Sequence, residues 1–349
     1  MTYRKYFIFV IVLTLVLACH QQKSKDIQVV IGRGGMPAMS KATDGLQVVY
    51  GIGDSIMYVP YNFHNQVSSP SLIAVLPNLA ASHSRGPQIA TTQSGTTVIA
   101  CNGAGNIFSY LKDNTGQWST AIRINDMDTT AKEGLVALDG NGDRLFAVWL
   151  DLRSKHNQIF GASSTDGGKT WSKNILVYAS PDTTVCECCK PSVVVKDNTI
   201  SIMFRNWLDG NRDLYVVQSS DGGNSFGNAQ KLGTGNWALN GCPMDGGALA
   251  VQDDLTVQTV WRRQGKIYSC QASKPETEVG EGKGCTMTLV NNQPVYAWVE
   301  NGQVVCLLPK SGKKVLGKGR YPVLKSVDAS SFACLWESEK QIQLQVVTL

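Results

Sequence analysis

Charged residues are scarce in this chain of 349 residues, and no run of basic residues is present. Lys, Arg, Asp and Glu make up 17% of the sequence, below the ~25% usual for soluble domains. The formal net charge of +5 falls to +3 when the two cations of the first 19 residues, Arg4 and Lys5, are left out. This balance is too weakly positive to indicate a nucleic-acid partner. The four histidines are dispersed, and none has metal-ligand spacing.

The sequence also has no stretch with a 3.6-residue apolar period, so we expect few helices. Hydrophobic residues nevertheless make up 43% of the chain, which is enough for a full core and excludes a disordered protein. The 34 glycines and 12 prolines favour many turns. Together these features favour an all-β protein.

Residues 1–19 have the pattern of an export signal. Arg4 and Lys5 precede an apolar stretch over 6–17 that is too short to span a bilayer as a stable helix. Its end, Val16-Leu17-Ala18-Cys19, resembles a bacterial lipobox, which implies that Cys19 is lipidated. His20 follows the cysteine, and by the same resemblance this points to the outer membrane, with the periplasmic or the surface face open. The alternative is an ordinary signal peptide with a chance cysteine. The predicted division is a signal peptide over 1–19, a tether over 20–26 and one domain over 27–349.

Three-residue apolar runs recur along that domain, and most of them end on an aromatic residue. Their last residues are Tyr50, Ala100, Trp149, Phe204, Trp261, Trp298 and Trp336. Each run lies between two other apolar runs, and turn signals such as Asp139-Gly140-Asn141-Gly142 separate them. Groups of four short strands repeated every 40–55 residues are typical of a β-propeller. We count seven blades, or six if the last two units merge. The run at 27–31 has no partner nearby, so we expect it to join the last blade and close the ring.

Two turns share a fuller motif. They are Ser164-Thr165-Asp166-Gly167-Gly168-Lys169-Thr170-Trp171 and Ser219-Ser220-Asp221-Gly222-Gly223-Asn224-Ser225-Phe226, and the segment 114–118 looks like a worn copy. The pattern Ser-x-Asp-x-Gly-x-Thr-Trp is the Asp box, so the chain resembles the sialidase superfamily. The carboxylate of such a turn can accept backbone N–H bonds while the aromatic residue packs beneath it, so we expect a structural role. The resemblance implies that these turns lie opposite the active face.

In a propeller, the loops that enter each first strand and the loops between strands two and three converge on one face. Here the first set covers 82–87, 132–134, 186–191, 241–245 and 319–322, and the second covers 151–153, 205–209, 212–213 and 262–263. Cysteine is concentrated in two of these loops, with Cys186, Cys188 and Cys189 in one and Cys242 in the next. One or two disulfides between adjacent blades are the first interpretation. A thiolate site for copper or zinc, with Met244 as a further soft ligand, is the second, and a redox role is the third.

The remaining cysteines call for other interpretations. Cys270 and Cys285 are near enough in sequence to pair across a blade boundary. Cys101 and Cys334 lie on predicted strands and are expected to be buried.

Sialidase chemistry needs arginines that clamp a carboxylate, a tyrosine nucleophile with a glutamate base, and an acidic Asp. The family resemblance implies candidates for the first three roles, which are Arg85, Arg205, Arg212, Arg262, Arg320, Tyr321 and Glu133. Arg85-Gly86-Pro87 matches the family's entry motif only in part, and the segment 102–106 offers no carboxylate where the acid is expected.

The sequence therefore predicts a lipid-anchored, Asp-box propeller that binds a glycan or another anion. The predicted ligand-binding residues are Arg205, Trp207, Arg212, Asp213 and Asp245. An exo-α-sialidase or related glycoside hydrolase is one alternative, and a thiolate metal or redox site is the other.

Overall fold

The structure is a computed structural model that describes residues 28–64 and 66–349. This part of the chain contains strands and turns but no α-helix. No helix in it is long and apolar enough to cross a membrane. The predicted signal peptide, the tether and Cys19 lie outside the described residues.

The strands, in chain order, are β1 (Gln28–Arg33), β2 (Gly35–Ala42), β3 (Gly45–Ile52), β4 (Ser55–Asn62), β5 (Gln66–Val67), β6 (Ser71–Val75), β7 (Gln88–Thr92), β8 (Gly95–Cys101), β9 (Ile107–Lys112), β10 (Ile122–Arg123), β11 (Val136–Asn141), β12 (Arg144–Asp151), β13 (Gln158–Ser164), β14 (Ile175–Tyr178), β15 (Ser192–Lys196), β16 (Thr199–Arg205), β17 (Leu214–Ser219), β18 (Gln230–Lys231), β19 (Ala248–Val251), β20 (Val257–Arg263), β21 (Lys266–Gln271), β22 (Thr277–Glu281), β23 (Lys283–Val290), β24 (Gln293–Glu300), β25 (Gln303–Leu308), β26 (Gly312–Lys318), β27 (Arg320–Ser326), β28 (Ser331–Ser338) and β29 (Gln341–Thr348).

These strands form seven antiparallel sheets, which are the blades of a β-propeller. Blade 1 contains β2–β6, with β5 and β6 both paired to β4, and blades 2 to 6 contain four consecutive strands each. In blade 7 the order is β1-β29-β28-β27, so the N-terminal strand supplies the outer strand of the last blade. The register pairs Gln28 with Gln345 and Arg33 with Gln341. The seven-blade count and the closure of the ring by the N-terminal strand are confirmed.

The recurring apolar runs of the sequence are the second strands of the blades. Such a strand is covered by neighbouring blades on both faces, so its residues are apolar without alternation. In β12, every residue from Leu145 to Asp151 is buried, and Trp149, Trp298 and Trp336 occupy equivalent buried positions in their blades. The core is therefore a ring of interfaces between blades.

The first strand of each blade lies against its neighbours around a central channel. We call upper the face on which each chain segment enters a first strand and on which strands two and three are connected. The lower face carries the turns between strands one and two and between strands three and four. This division places residues distant in sequence around the upper mouth of the channel.

Candidate functional site

The upper mouth of the channel is a depression of about 260 Å³. Every blade contributes the start of its first strand or the residues just before it. The side chains with polar atoms include Ser84, Gln88, Lys190, Asp245 and Tyr321. Met244, named in the sequence as a soft ligand, also lines the depression and is 44% exposed.

Lys190 is the cation of this depression. Its Nζ donates a hydrogen bond of 2.7 Å to Oε1 of Gln88 on blade 2. Among the described residues, no carboxylate lies within ion-pair distance of this ammonium. Burial lowers the pKa of Lys190 to about 8. The group is therefore mostly protonated at neutral pH but has no counter-ion.

Asp245 is the acidic group of the same depression, and its side chain is buried. Its Oδ2 accepts a hydrogen bond of 2.9 Å from the Gly284 amide. Burial raises the pKa of this carboxyl group, while the Gly284 amide and the nearby cations Arg205 and Arg262 oppose the rise. Two cations therefore act on this one carboxyl group.

Arg205 differs from the sequence expectation. At 1% exposure it is buried, and it donates through Nε and Nη2 to the Asp245 carbonyl at 3.1 and 2.9 Å. Nη1 donates to the Arg212 carbonyl at 2.7 Å, and Nη2 also donates to the Arg262 carbonyl at 3.0 Å. The guanidinium group of Arg205 therefore links blades 4 and 5 through backbone carbonyl oxygens. Because these carbonyls take up its donors, Arg205 cannot clamp a ligand from this position. A planar donor set suits this task because it satisfies several carbonyl groups at once.

Arg212 and Asp213 are also buried, at 6% and 7% exposure. The Arg212 guanidinium lies 4.3 Å from the centre of the half-buried Trp207 ring, and Nη1 donates to Cys186 Sγ at 3.0 Å. Asp213 accepts the Trp237 amide at 2.9 Å and pairs with Lys231 at 2.9 Å. These polar groups have partners within the protein, so the predicted ligand-binding set mainly stabilises the upper loops of blade 4.

The other arginine candidates belong to different blades and have different partners. Arg85 pairs with Glu133 at 3.5 Å between blades 2 and 3, and the exposed Arg320 pairs with Glu337 at 2.6 Å on blade 7. Arg262 lies 5.7 Å from the Trp237 ring centre, and its buried Nε has no hydrogen-bond partner. Among the described residues, no hydrogen bond joins Glu133 to Tyr321, the proposed base and nucleophile. Within the described residues, the tyrosine–glutamate pair implied by the sialidase resemblance is therefore not hydrogen-bonded.

Four cysteines meet between blades 4 and 5. Cys188 and Cys242 form a disulfide, while Cys186 and Cys189 are free and buried. The Cys186 sulfur lies 3.6 Å from that of Cys189 and 3.7 Å from that of Cys188. The hydrogen bond with Cys189 and the Arg212 guanidinium lower the pKa of Cys186 to about 6 against the effect of burial. Burial raises the pKa of Cys189.

Among the described residues, the cysteines outside this cluster are free and buried. Cys270 and Cys285, which were near enough in sequence to pair, form no disulfide. Cys101 and Cys334 are buried on strands, as expected.

The two Asp-box turns lie on the lower face, after β13 and β17. Asp166 accepts the Ser164 hydroxyl at 2.8 Å and the Thr170 amide at 2.9 Å, while Ser164 Oγ accepts the Gly168 amide at 2.9 Å. A Cβ on Gly168, whose φ is +93°, would meet Thr97 of blade 2 at 2.6 Å. Trp171 completes the contact by donating to Ser109 of that blade at 3.0 Å.

The second box repeats this arrangement one blade further on. Asp221 accepts the Ser219 hydroxyl at 2.7 Å, Ser219 accepts the Gly223 amide at 2.9 Å, and the Phe226 ring lies 5.7 Å from that of Phe146. Through Trp171 and Phe226, each turn contacts the preceding blade and so stabilises the interface between two blades. At the segment 114–118, the carboxylate of the preceding residue, Asp113, accepts the Thr115 and Gln117 amides.

Sequence reasoning missed two polar residues that line the depression and bind each other, Lys190 and Gln88. Lys190 lies inside the loop 186–191, where the cysteines drew attention. Its signal was a lone basic residue followed by proline at the entry to a first strand, next to the channel.

No protein-family model matches the chain, and no curated protein sequence matches it. Solved structures do. The BP39L lectin from Burkholderia pseudomallei is 10% identical with a TM-score of 0.67, and the match covers 91% of this chain and 96% of that one. An ulvan lyase of a polysaccharide lyase family, bound to -[GlcA(1-4)Rha3S]-, is 9% identical with a TM-score of 0.58, covering 93% and 96%. The Aleuria aurantia lectin is 9% identical with a TM-score of 0.51, covering 83% and 96%. At such low identity these likenesses show the propeller fold, which this chain shares with lectins and polysaccharide lyases.

Proposed function

We propose that this protein binds acidic glycans at the upper mouth of its channel. The observation that carries the proposal is the half-buried ammonium of Lys190, which has Gln88 as its hydrogen-bond partner and, among the described residues, no carboxylate within ion-pair distance. A charge that is partly removed from water and has no counter-ion attracts an anion more strongly than the same charge does in bulk water.

The electrostatics of the depression favour the same ligand class. Of the charged residues that line the depression, Lys190 is the cation and Asp245 is the acid, and burial disfavours the ionisation of Asp245. Ser84 and Tyr321 line the same space and offer hydroxyl groups for the sugar. A carboxylate or sulfate at Lys190, with the sugar ring toward these hydroxyls, fits a small cavity of mixed polarity.

The structural likenesses support a saccharide as the ligand. Two of the similar proteins are lectins, and the similar ulvan lyase is bound to an oligosaccharide of GlcA and 3-sulfated Rha. That ligand carries a carboxylate and a sulfate, the two anions expected to pair with a lysine.

The test is a titration with a -[GlcA(1-4)Rha3S]- oligosaccharide and with the same oligosaccharide desulfated and carboxyl-reduced. Wild type and Lys190→Gln are compared with Lys310→Gln, which alters an exposed lysine in the β25–β26 turn on the lower face. We expect binding of the acidic form only, a loss of more than about 10-fold in Lys190→Gln, and no change in the control. Equal binding of both oligosaccharides would overturn the proposal.

We also propose that Cys19 anchors the propeller to the outer membrane. Eight residues lie between Cys19 and Gln28, the first residue of β1, so the ring would lie close to the lipid surface. Metabolic labelling with a fatty acid tests this, since wild type should take up label and Cys19→Ala should not. Label in the variant would contradict it.

A further inference from the structure

The sulfur atoms of Cys186, Cys188 and Cys189 form a compact triangle. Its edges are 3.7 Å between Cys186 and Cys188, 3.6 Å between Cys186 and Cys189, and 4.0 Å between Cys188 and Cys189. Zinc–sulfur bonds of about 2.3 Å in tetrahedral geometry place neighbouring sulfurs about 3.8 Å apart. The triangle therefore already has the dimensions of one face of a thiolate coordination shell.

Its surroundings suit negative sulfur ligands. Arg212 Nη1 lies 3.0 Å from Cys186 Sγ, and its guanidinium is held in place by the Leu239 carbonyl and the Trp207 ring. A fixed guanidinium offsets the charge that several thiolates leave around one cation. Cys186 and Cys189 are buried, whereas Cys188 is half-buried and Cys242 is exposed, so the triangle opens toward solvent through these two residues.

The Cys188–Cys242 disulfide determines whether the triangle can bind metal. While it is closed, Cys188 has no thiolate to offer. A dithiol reductant opens it by giving two electrons and two protons to Cys188 and Cys242, and the reductant becomes its own disulfide. The reduced protein then holds three adjacent thiols.

We propose that Cys186, Cys188 and Cys189 together bind one thiophilic cation, Zn²⁺ or Cu⁺, when the Cys188–Cys242 disulfide is open. The thiols release their protons to solvent as the metal–sulfur bonds form. Soft thiolate ligands select these two ions over hard cations such as Mg²⁺ or Ca²⁺. This site is separate from the glycan site proposed above and does not depend on it.

Two variants give a matched test because both remove the same disulfide. Cys242→Ser leaves all three sulfurs of the triangle, while Cys188→Ser removes one of them. Each purified protein is titrated anaerobically with Co²⁺, whose thiolate absorption reports the number of bound sulfurs, and with Zn²⁺ or Cu⁺ in competition. Cys101→Ser is the control for loss of a buried thiol elsewhere.

We expect Cys242→Ser to bind one equivalent of metal without any reductant, and wild type and Cys101→Ser to bind it only after reduction. Cys188→Ser should bind more weakly than Cys242→Ser by more than about 10-fold under all conditions. Equal binding by the two matched variants would overturn the proposal. Failure of reduced wild type to bind metal would also overturn it. A second disulfide between Cys186 and Cys189 in the unreduced protein would then make the cluster a double covalent brace.

Discussion

The ammonium of Lys190 and the amide oxygen of Gln88 lie 2.7 Å apart, although 102 residues separate them in sequence. One belongs to the loop that enters blade 4 and the other to the first strand of blade 2, and they meet because all first strands surround one channel. The bond positions a half-buried cation at the channel mouth without neutralising it. The propeller thus keeps a localised positive charge where a ligand can enter.

Lys190 should make stability depend on pH. Its pKa is about 8 in the folded protein against 10.5 for an ordinary lysine. Between these values the unfolded chain binds more protons, so this residue makes the free energy of unfolding rise with pH from about 8 to 10.5. Chemical denaturation across that range should show a smaller rise in Lys190→Gln than in wild type. Parallel pH profiles for the two proteins would contradict the assignment.

Arg205 should act on stability rather than on ligand contact. In Arg205→Met, the carbonyls of Asp245, Arg212 and Arg262 lose their donor, and we expect the free energy of unfolding to fall by about 2–4 kcal/mol. Urea denaturation measures this, with the exposed Arg33→Met as control. A variant with wild-type stability that has lost glycan binding would show that Arg205 is a ligand residue after all.

The Asp-box turns should contribute to the cohesion of the blades. Ser164→Ala removes the acceptor of the Gly168 amide and a donor to Asp166, so we expect a loss of about 1–3 kcal/mol. Ser219→Ala should behave alike in the second box, and the exposed Ser311→Ala should change little. Urea denaturation of the three variants tests this. Losses below about 0.5 kcal/mol in both box variants would contradict the structural role.

The Cys188–Cys242 disulfide joins the entry loops of blades 4 and 5 across 54 residues of sequence. With a chelator present, reduction of wild type should lower the free energy of unfolding by about 2–4 kcal/mol. Cys242→Ser should have this lower stability from the outset and be insensitive to the reductant. A variant that the reductant destabilises as much as wild type would indicate a different disulfide.

The repeat pattern predicted the propeller because each second strand is buried on both sides and must be apolar along its length. The unpaired segment that became β1 predicted the ring closure for a related reason, since an open blade edge would remain without a partner. The site was harder to predict. Arg205 and Arg212 have the residue type of a carboxylate clamp, and only the packing of blades 4 and 5 shows that backbone carbonyls and Cys186 occupy them.

The sequence did not identify Lys190 because of what this residue lacks, whereas Arg205 and Arg212 were misjudged because of partners that they have. The role of Lys190 depends on the absence of a nearby carboxylate, and a sequence cannot show which carboxylates lie nearby. The cysteine loop 186–191 was predicted in part. Its spacing predicted proximity to Cys242, but the dimensions of the sulfur triangle required three-dimensional coordinates.

The measurement that tests the central claim most directly is the affinity for the -[GlcA(1-4)Rha3S]- oligosaccharide between pH 6 and pH 10, in wild type and in Lys190→Gln. The account predicts that wild-type affinity falls as the pH rises through about 8, because Lys190 loses its proton there. The variant should bind weakly and show no such fall. An affinity in wild type that stays constant across pH 8, or a variant that binds as tightly as wild type, would contradict the account.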